Sequence, residues 1–142
     1  MMRIPNLSMA GKVALVTGGG RGIGRALALA FAKAGADVAT CSRTGGAELN
    51  SVAEEIRKLG RKALTVKADV SRKIDVENLV KQTVTELGDI DILVNNAGIF
   101  IQRPLLEIEE DTWDSVIAVN LKGTYLCSQA VGQLMVERRK GI

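Results

Sequence analysis

Val13-Ala14-Leu15-Val16-Thr17-Gly18-Gly19-Gly20-Arg21-Gly22-Ile23-Gly24 is an apolar run that passes into a glycine-dense turn and then into an alanine-rich segment. The run predicts a β-strand. The segment predicts a helix, because Ile23, Ala26, Leu27, Ala30, Phe31 and Ala34 recur at helical spacing before Gly35 closes it. Gly18, Gly22 and Gly24 allow a tight turn and a close backbone approach, and the helix offers free N–H groups and the positive end of its dipole. That combination suits an anion such as a pyrophosphate. Taken alone, the turn is a weak signal that a plain strand-to-helix connection could also give.

Outward from this unit, strand-like runs alternate with helical periods. A run at 38–42 precedes Leu49, Val52, Ala53, Ile56 and Leu59 on one helical face, closed by Gly60. A run at 63–68 precedes Val76, Leu79, Val80, Val84 and Leu87, closed by Gly88. The fourth run, 90–95, leads through a loop with Pro104 into one long helix predicted from about 111 to 139. Arg138, Arg139 and Lys140 complement its negative end, Gly141 reads as its C-cap, and Ile142 as the first residue of a fifth strand. This alternation predicts an α/β fold, a Rossmann-type doubly wound parallel sheet with strand order 3-2-1-4 that reaches residue 142 just before strand five. Residues 1–142 form one dinucleotide-binding domain, expected to continue past 142.

Composition narrows the function classes. An apolar fraction of 46% supports a sizeable core, and the 3% aromatic content favours small-residue α/β packing. The net charge of +3 is dispersed among acids and bases, as on solvated helix faces, which argues against a nucleic-acid surface. Cys41 and Cys127 have no metal-ligand spacing and read as reduced core residues, in keeping with the cytoplasm. Histidine is absent, which removes histidine-based triads and most zinc sites, and no metal is expected. The opening arm at 1–5 has no apolar run of signal length, and no stretch approaches the ~18 apolar residues of a membrane helix.

In a 3-2-1-4 sheet the winding reverses between strands one and four, which leaves a crevice at their carboxyl ends. The glycine turn and Asn95-Asn96-Ala97-Gly98 both line it in this reading. Strand two ends in Ser42-Arg43, where an NAD-preferring site places an acid for the ribose 2′-hydroxyl. Arg43 suits a 2′-phosphate instead, and Arg21 adds a second cation, so the expected cofactor is NADP(H). Arg43 in the flexible Thr44-Gly45-Gly46 stretch also suits a simple solvated loop.

Thr17-Gly18-x3-Gly22-x-Gly24, Asp69-Val70, Asn95-Asn96-Ala97-Gly98 and Asn120 stand in the order and spacing of the short-chain dehydrogenase/reductase family, which the chain resembles over nearly its whole length. The resemblance implies that Gly18, Gly20, Arg21, Gly22, Ile23 and Gly24 hold the cofactor. It implies that Asp69 accepts a hydrogen bond from the adenine amino group, with Val70 supporting it through its backbone. Asn96, Ala97 and Gly98 contact the adenosine ribose side, and Val119 lies along the crevice. Asn120 is assigned to a proton-relay water. Its alternative role is a helix-distorting amide satisfied by neighbouring backbone, and in either case an amide on an apolar helix face between Trp113, Val116, Thr124 and Val131 needs a partner.

The resemblance further implies a ketone or secondary-alcohol substrate, hydride transfer, and a serine with a tyrosine four residues before a lysine. An unperturbed tyrosine, with a pKa near ~10, is a poor base without such a lysine. The sole tyrosine here is Tyr125, with Gln129 in the lysine's place, so these residues fall outside 1–142. The chain thus reads as the cofactor-binding part of an NADP(H)-dependent oxidoreductase, inactive by itself. The other readings are a non-catalytic dinucleotide-binding or regulatory module and a Rossmann-like methyltransferase, the latter disfavoured by Arg43 with Asn95-Asn96-Ala97-Gly98. Acyl-carrier-protein thioesters, sugars and small ketones fit equally well as substrates. A homo-oligomer is expected, and the stripe of Trp113, Val116, Val131 and Leu134 suits either a subunit contact or ordinary core.

Overall fold

The computed structural model describes residues 7–142, and the predicted polar arm at 1–5 lies outside them. Strands β1 (Val13–Thr17), β2 (Asp37–Ser42), β3 (Ala63–Lys67) and β4 (Ile92–Val94) form one sheet in the order β3-β2-β1-β4. All pairings are parallel, with Leu15 opposite Ala39 and Leu93, and Ala39 opposite Leu64. Helices α1 (Gly22–Lys33), α2 (Ala47–Lys58) and α3 (Lys73–Leu87) connect the strands as the hydrophobic periods require. The predicted Rossmann-type, doubly wound architecture is therefore the observed one.

Every side chain of β1 is buried, as a strand covered on both faces must be. Its alternate residues serve two cores. Val16 and Val38 pack with Ala28, Ala32, Val52 and Ile56 under α1 and α2. Leu15, Ala39 and Cys41 point the other way, toward Val76, Leu79, Leu126, Cys127 and Val131. Each such fully buried Val or Leu contributes about 1.5–3 kcal/mol. Cys41 and Cys127 are free and buried as expected, and desolvation pushes their thiols up to about 11 and about 12.

The amino ends of β1 and β4 are pinned by Asp91. Its main-chain N–H donates to Val13 O at 2.9 Å, and Val13 N–H donates to its Oδ2 at 3.1 Å. The ammonium groups of Lys12 and Lys140 lie 3.6 and 3.3 Å from its other oxygen. Burial pushes this carboxyl up, but the Val13 hydrogen bond and the two lysines outweigh that and hold it below the ordinary aspartate value. Ile142 donates to Asp91 O at 2.9 Å and accepts from Leu93 N–H at 2.8 Å, so it bonds beside β4 without forming a strand of the four-stranded sheet.

Three local expectations change. The long helix is divided into α4 (Glu110–Ile117), a π-helical segment (Ala118–Lys122) and α5 (Gly123–Arg138). A π segment adds a residue to the turn and rotates the helical face, so a single period drawn through Trp113, Val116, Val131 and Leu134 does not hold. Val131 is fully buried while Trp113 is 58% exposed. The helix also ends on Arg139 in the left-handed region, with φ +52°, rather than on Gly141. Lys140 N–H closes the end on Met135 O at 3.0 Å, so the turn is made before Gly141 is reached. Finally, Ile23 is 73% exposed despite its place in the apolar spacing, and the buried residue of that first turn is Gly24.

Candidate cofactor site

At the carboxyl ends of the strands, β1 runs into the glycine turn and the chain doubles back. Gly18 and Gly22 adopt φ values of +69° and +54°, a region that favours glycine. Gly18 also lies against the next wall, since a Cβ there would stand 2.9 Å from Ala97 Cα. α1 then starts at Gly22 with no side-chain cap and no acid in its first turn. The positive end of that helix is left for an outside anion.

A hydroxyl joins the two walls. Thr17 Oγ1 accepts the N–H groups of Asn96 and Ala97, both at 3.0 Å, and donates to Val94 O at 3.2 Å. Asn96 replies with its Nδ2, which donates to Thr17 O at 3.0 Å and Gly18 O at 3.1 Å. Asn95 instead bonds Ser128 Oγ at 2.9 Å on α5.

A cavity of about 490 Å3 opens between these walls. It is lined by Gly18, Gly20, Arg21, Gly22, Ile23 and Gly24 from the turn and by Arg43 from the end of β2. Asp69 and Val70 from the end of β3, Asn96, Ala97 and Gly98 from the end of β4, and Val119 from the π segment complete the predicted set. Ile23, exposed with respect to the core, thus has a place on the rim.

Asp69 is folded into a local turn, its Oδ1 accepting from Ser71 N–H at 2.9 Å and from Ser71 Oγ at 2.6 Å. Partial burial pushes its carboxyl up, but the two Ser71 hydrogen bonds and the charges of Arg43 and Arg72 outweigh it, and the group titrates below the ordinary aspartate value. Its second oxygen makes no hydrogen bond with the described residues. Arg21 and Arg43 make no ion pair among the described residues.

Asn120 does not line the cavity, and it is exposed rather than buried. Its amide is nonetheless fully engaged, because Oδ1 accepts from Ile99 N–H at 2.9 Å and Nδ2 donates to Ile99 O at 3.0 Å. Ile99 does line the cavity, so Asn120 reaches it through backbone. Sequence reasoning missed Ile99 and also Cys41, Ser42, Thr44, Glu48 and Ala68 on the walls. Glu48 sits in the first turn of α2, where the helix dipole favours an acid, and that ordinary position masks its second environment. Gly123 was another omission: a Cβ there would meet Val70 Cγ2 at 2.7 Å, so this glycine lets α5 close on the wall of the site.

A phosphate-sized turn at a helix start, outside the carboxyl ends of a doubly wound sheet, defines a dinucleotide-binding fold of the Rossmann type. The family model for short chain dehydrogenases matches residues 12–142, and the chain belongs to that family. It is 42% identical over 132 residues to a short-chain dehydrogenase/reductase of Armillaria gallica, a match covering 92% of this chain and 51% of that protein. It is 40% identical over 130 residues to 3-oxoacyl-[acyl-carrier-protein] reductase of Staphylococcus epidermidis, covering 92% of this chain and 53% of that one. A short chain dehydrogenase of Burkholderia cenocepacia, solved in complex with NADP, superposes with a TM-score of 0.85 at 40% identity over 88% of this chain and 51% of that one. The chain therefore spans about half the length of the curated relatives it matches.

Proposed function

We propose that this chain is the cofactor-binding part of an NADP(H)-dependent oxidoreductase that interconverts a ketone and a secondary alcohol by hydride transfer. The observation that carries the cofactor choice is the end of β2, where Ser42 and Arg43, which makes no ion pair among the described residues, line the cavity and no carboxylate ends the strand. A 2′-phosphate gains charge-assisted hydrogen bonds there, whereas an acid is what a 2′-hydroxyl asks for. The solved NADP complex of the Burkholderia cenocepacia relative supports the same reading.

The residues present fit such a cofactor. The glycine turn leaves room for a pyrophosphate at an uncapped helix start, and Asp69 has a free carboxylate oxygen to accept the adenine amino group. Val70 supports that contact through its backbone, Arg43 and Arg21 hold the 2′-phosphate, Asn96, Ala97 and Gly98 border the ribose, and Val119 walls the crevice. NADPH supplies the hydride when bound. Asn120 fixes Ile99 and, through its helix turn, serves the proton relay that the family resemblance implies. The proton donor itself is not Tyr125, which is 57% exposed and whose hydroxyl is bonded to Gln129 Nε2 at 3.0 Å with no lysine in that place. The substrate is a small carbonyl or alcohol compound and the protein works in the cytoplasm; its assembly as a homo-oligomer is supported by the exposed apolar residues Trp113, Leu121 and Val136. No helix among the described residues is long and apolar enough to cross a membrane.

Titrating the protein with NADPH and NADH tests the cofactor assignment. NADPH binds more tightly, and Arg43→Asp reverses the order; equal affinities, or a preference for NADH, would overturn it.

A further inference from the structure

We propose that Lys67 is a cofactor-selecting residue, a cation that the fold lays along the Arg43 loop to meet the 2′-phosphate. The proposal rests on the NADP(H) reading above and extends it to a residue outside the family motifs quoted for the site. Lys67 is the last residue of β3 and pairs in register with Ser42, the residue before Arg43. The loop that follows curls back over that pair. Ser42 Oγ accepts Gly45 N–H at 2.9 Å, and Gly45 and Gly46 take φ values of +64° and +88°. Each is a conformation that side chains rarely adopt.

The Lys67 stem follows this curl. A Cβ placed on Gly45 would stand 3.6, 3.8 and 3.9 Å from Lys67 Cβ, Cγ and Cδ, so three successive stem atoms pass the side of the loop that a Gly45 side chain would occupy. A lysine commonly buries its methylenes on neighbouring surface while its ammonium stays in water, and here that surface is the loop carrying Arg43. Lys67 makes no ion pair among the described residues. Arg21 and Arg43 line the cavity, Lys67 stands beside the loop that carries Arg43, and none of the three makes an ion pair among the described residues. A phosphate monoester carries a charge of about −1.5 to −2 at neutral pH and has three acceptor oxygens, more than one guanidinium satisfies.

The test separates charge from packing by comparing Lys67→Met, which keeps a stem on Gly45, with Lys67→Ala, which removes it. The probes are adenosine 2′,5′-bisphosphate and adenosine 5′-monophosphate, which differ in the 2′-phosphate alone. In the full chain, Lys67→Met should weaken the bisphosphate by about three- to tenfold, leave the monophosphate unchanged, and lose that difference as salt is raised. Lys67→Arg should retain the preference. If the parent protein prefers the bisphosphate and Lys67→Met leaves that preference intact, Lys67 takes no part in selection although the NADP(H) reading stands. If the parent protein binds both probes alike, the NADP(H) reading fails and this proposal with it. Equal weakening of both probes in Lys67→Met would assign Lys67 to shaping the site and overturn its role in selection.

Discussion

Gly24 and Asn96 claim the same space: a Cβ on Gly24 would overlap Asn96 Nδ2, the group that bridges the Thr17 and Gly18 carbonyls. It would overlap Gly18 O as well. The start of α1 and the end of β4 can therefore meet only where the helix has no side chain. Substituting Gly24→Ala forces the Asn96 bridge to break or the helix to back away, at a cost of about 1–3 kcal/mol. Nucleotide affinity should fall with it. Gly132→Ala provides the contrast, since nothing lies within 4 Å of its Cβ position on α5, and it should be neutral or stabilise by up to about 1 kcal/mol. Denaturant melts of both variants check the pair, and a well-tolerated Gly24→Ala would contradict the packing described.

The clamp of Asn120 on Ile99 predicts a local effect. Asn120→Ala frees both backbone groups of Ile99, which stand in an exposed loop and can turn to water, so the cost is modest, about 1–2 kcal/mol for two hydrogen bonds. Hydrogen exchange at the Ile99 amide should quicken far more than exchange in β1. Unchanged protection at Ile99 would mean that something other than Asn120 holds that loop.

Asp91 gives the stability of the sheet a pH dependence in acid. Its folded pKa lies below the unfolded value, so its contribution is fully present above about pH 3.9 and is lost as the pH falls through the folded pKa. Asp69 acts in the same direction from the opposite end of the sheet. Asp91→Asn should lower stability at pH 7, where Lys12 and Lys140 lose their partner, and flatten the acid limb of a stability profile. A variant with an acid limb as steep as the parent's would show that Asp91 is not its source.

Glu48 shares the cavity with Arg21 and Arg43 and therefore opposes a phosphate there. Replacing it by glutamine keeps the shape and removes the charge. Glu48→Gln should strengthen NADPH relative to NADH by about two- to fivefold at low salt. It should also lower stability by about 0.3–1 kcal/mol through the lost helix-dipole interaction at α2. Isothermal titration with both cofactors checks the first, and a shift toward NADH would place Glu48 outside the phosphate's reach.

The parts of the molecule legible in the sequence were those governed by local rules. The run from Val13 to Thr17, the helical faces of α1 to α3 and their closing glycines follow from hydrophobic period and turn chemistry, and the crevice follows from the strand order they impose. What escaped was set by contacts distant in the chain. The π segment lies where Asn120 bonds the backbone of Ile99, the helix-distorting alternative read for that amide, but no helical period says which loop residue it would bond. Ile23 carries the apolar spacing of α1 but is exposed and lines the cavity. Glu48 and Gly123 were unremarkable as helix residues. Their second surroundings, the cavity and Val70, appear only once the units are packed.

The central place of β1 also sets an order of events during synthesis. One edge of β1 can pair with β2 soon after Asp37–Ser42 emerges, but the other waits for Ile92–Val94, with α2, β3 and α3 made in between. Until then the Val13 and Leu15 backbone on that side is an open strand edge, and such edges invite pairing with other chains. The Thr17 hydroxyl and the Asn96 bridge lie on this late-closing side. The nascent chain therefore completes the cavity at the strand ends and closes that edge of β1 in a single step, and any ligand held in the cavity favours the chains that have completed it.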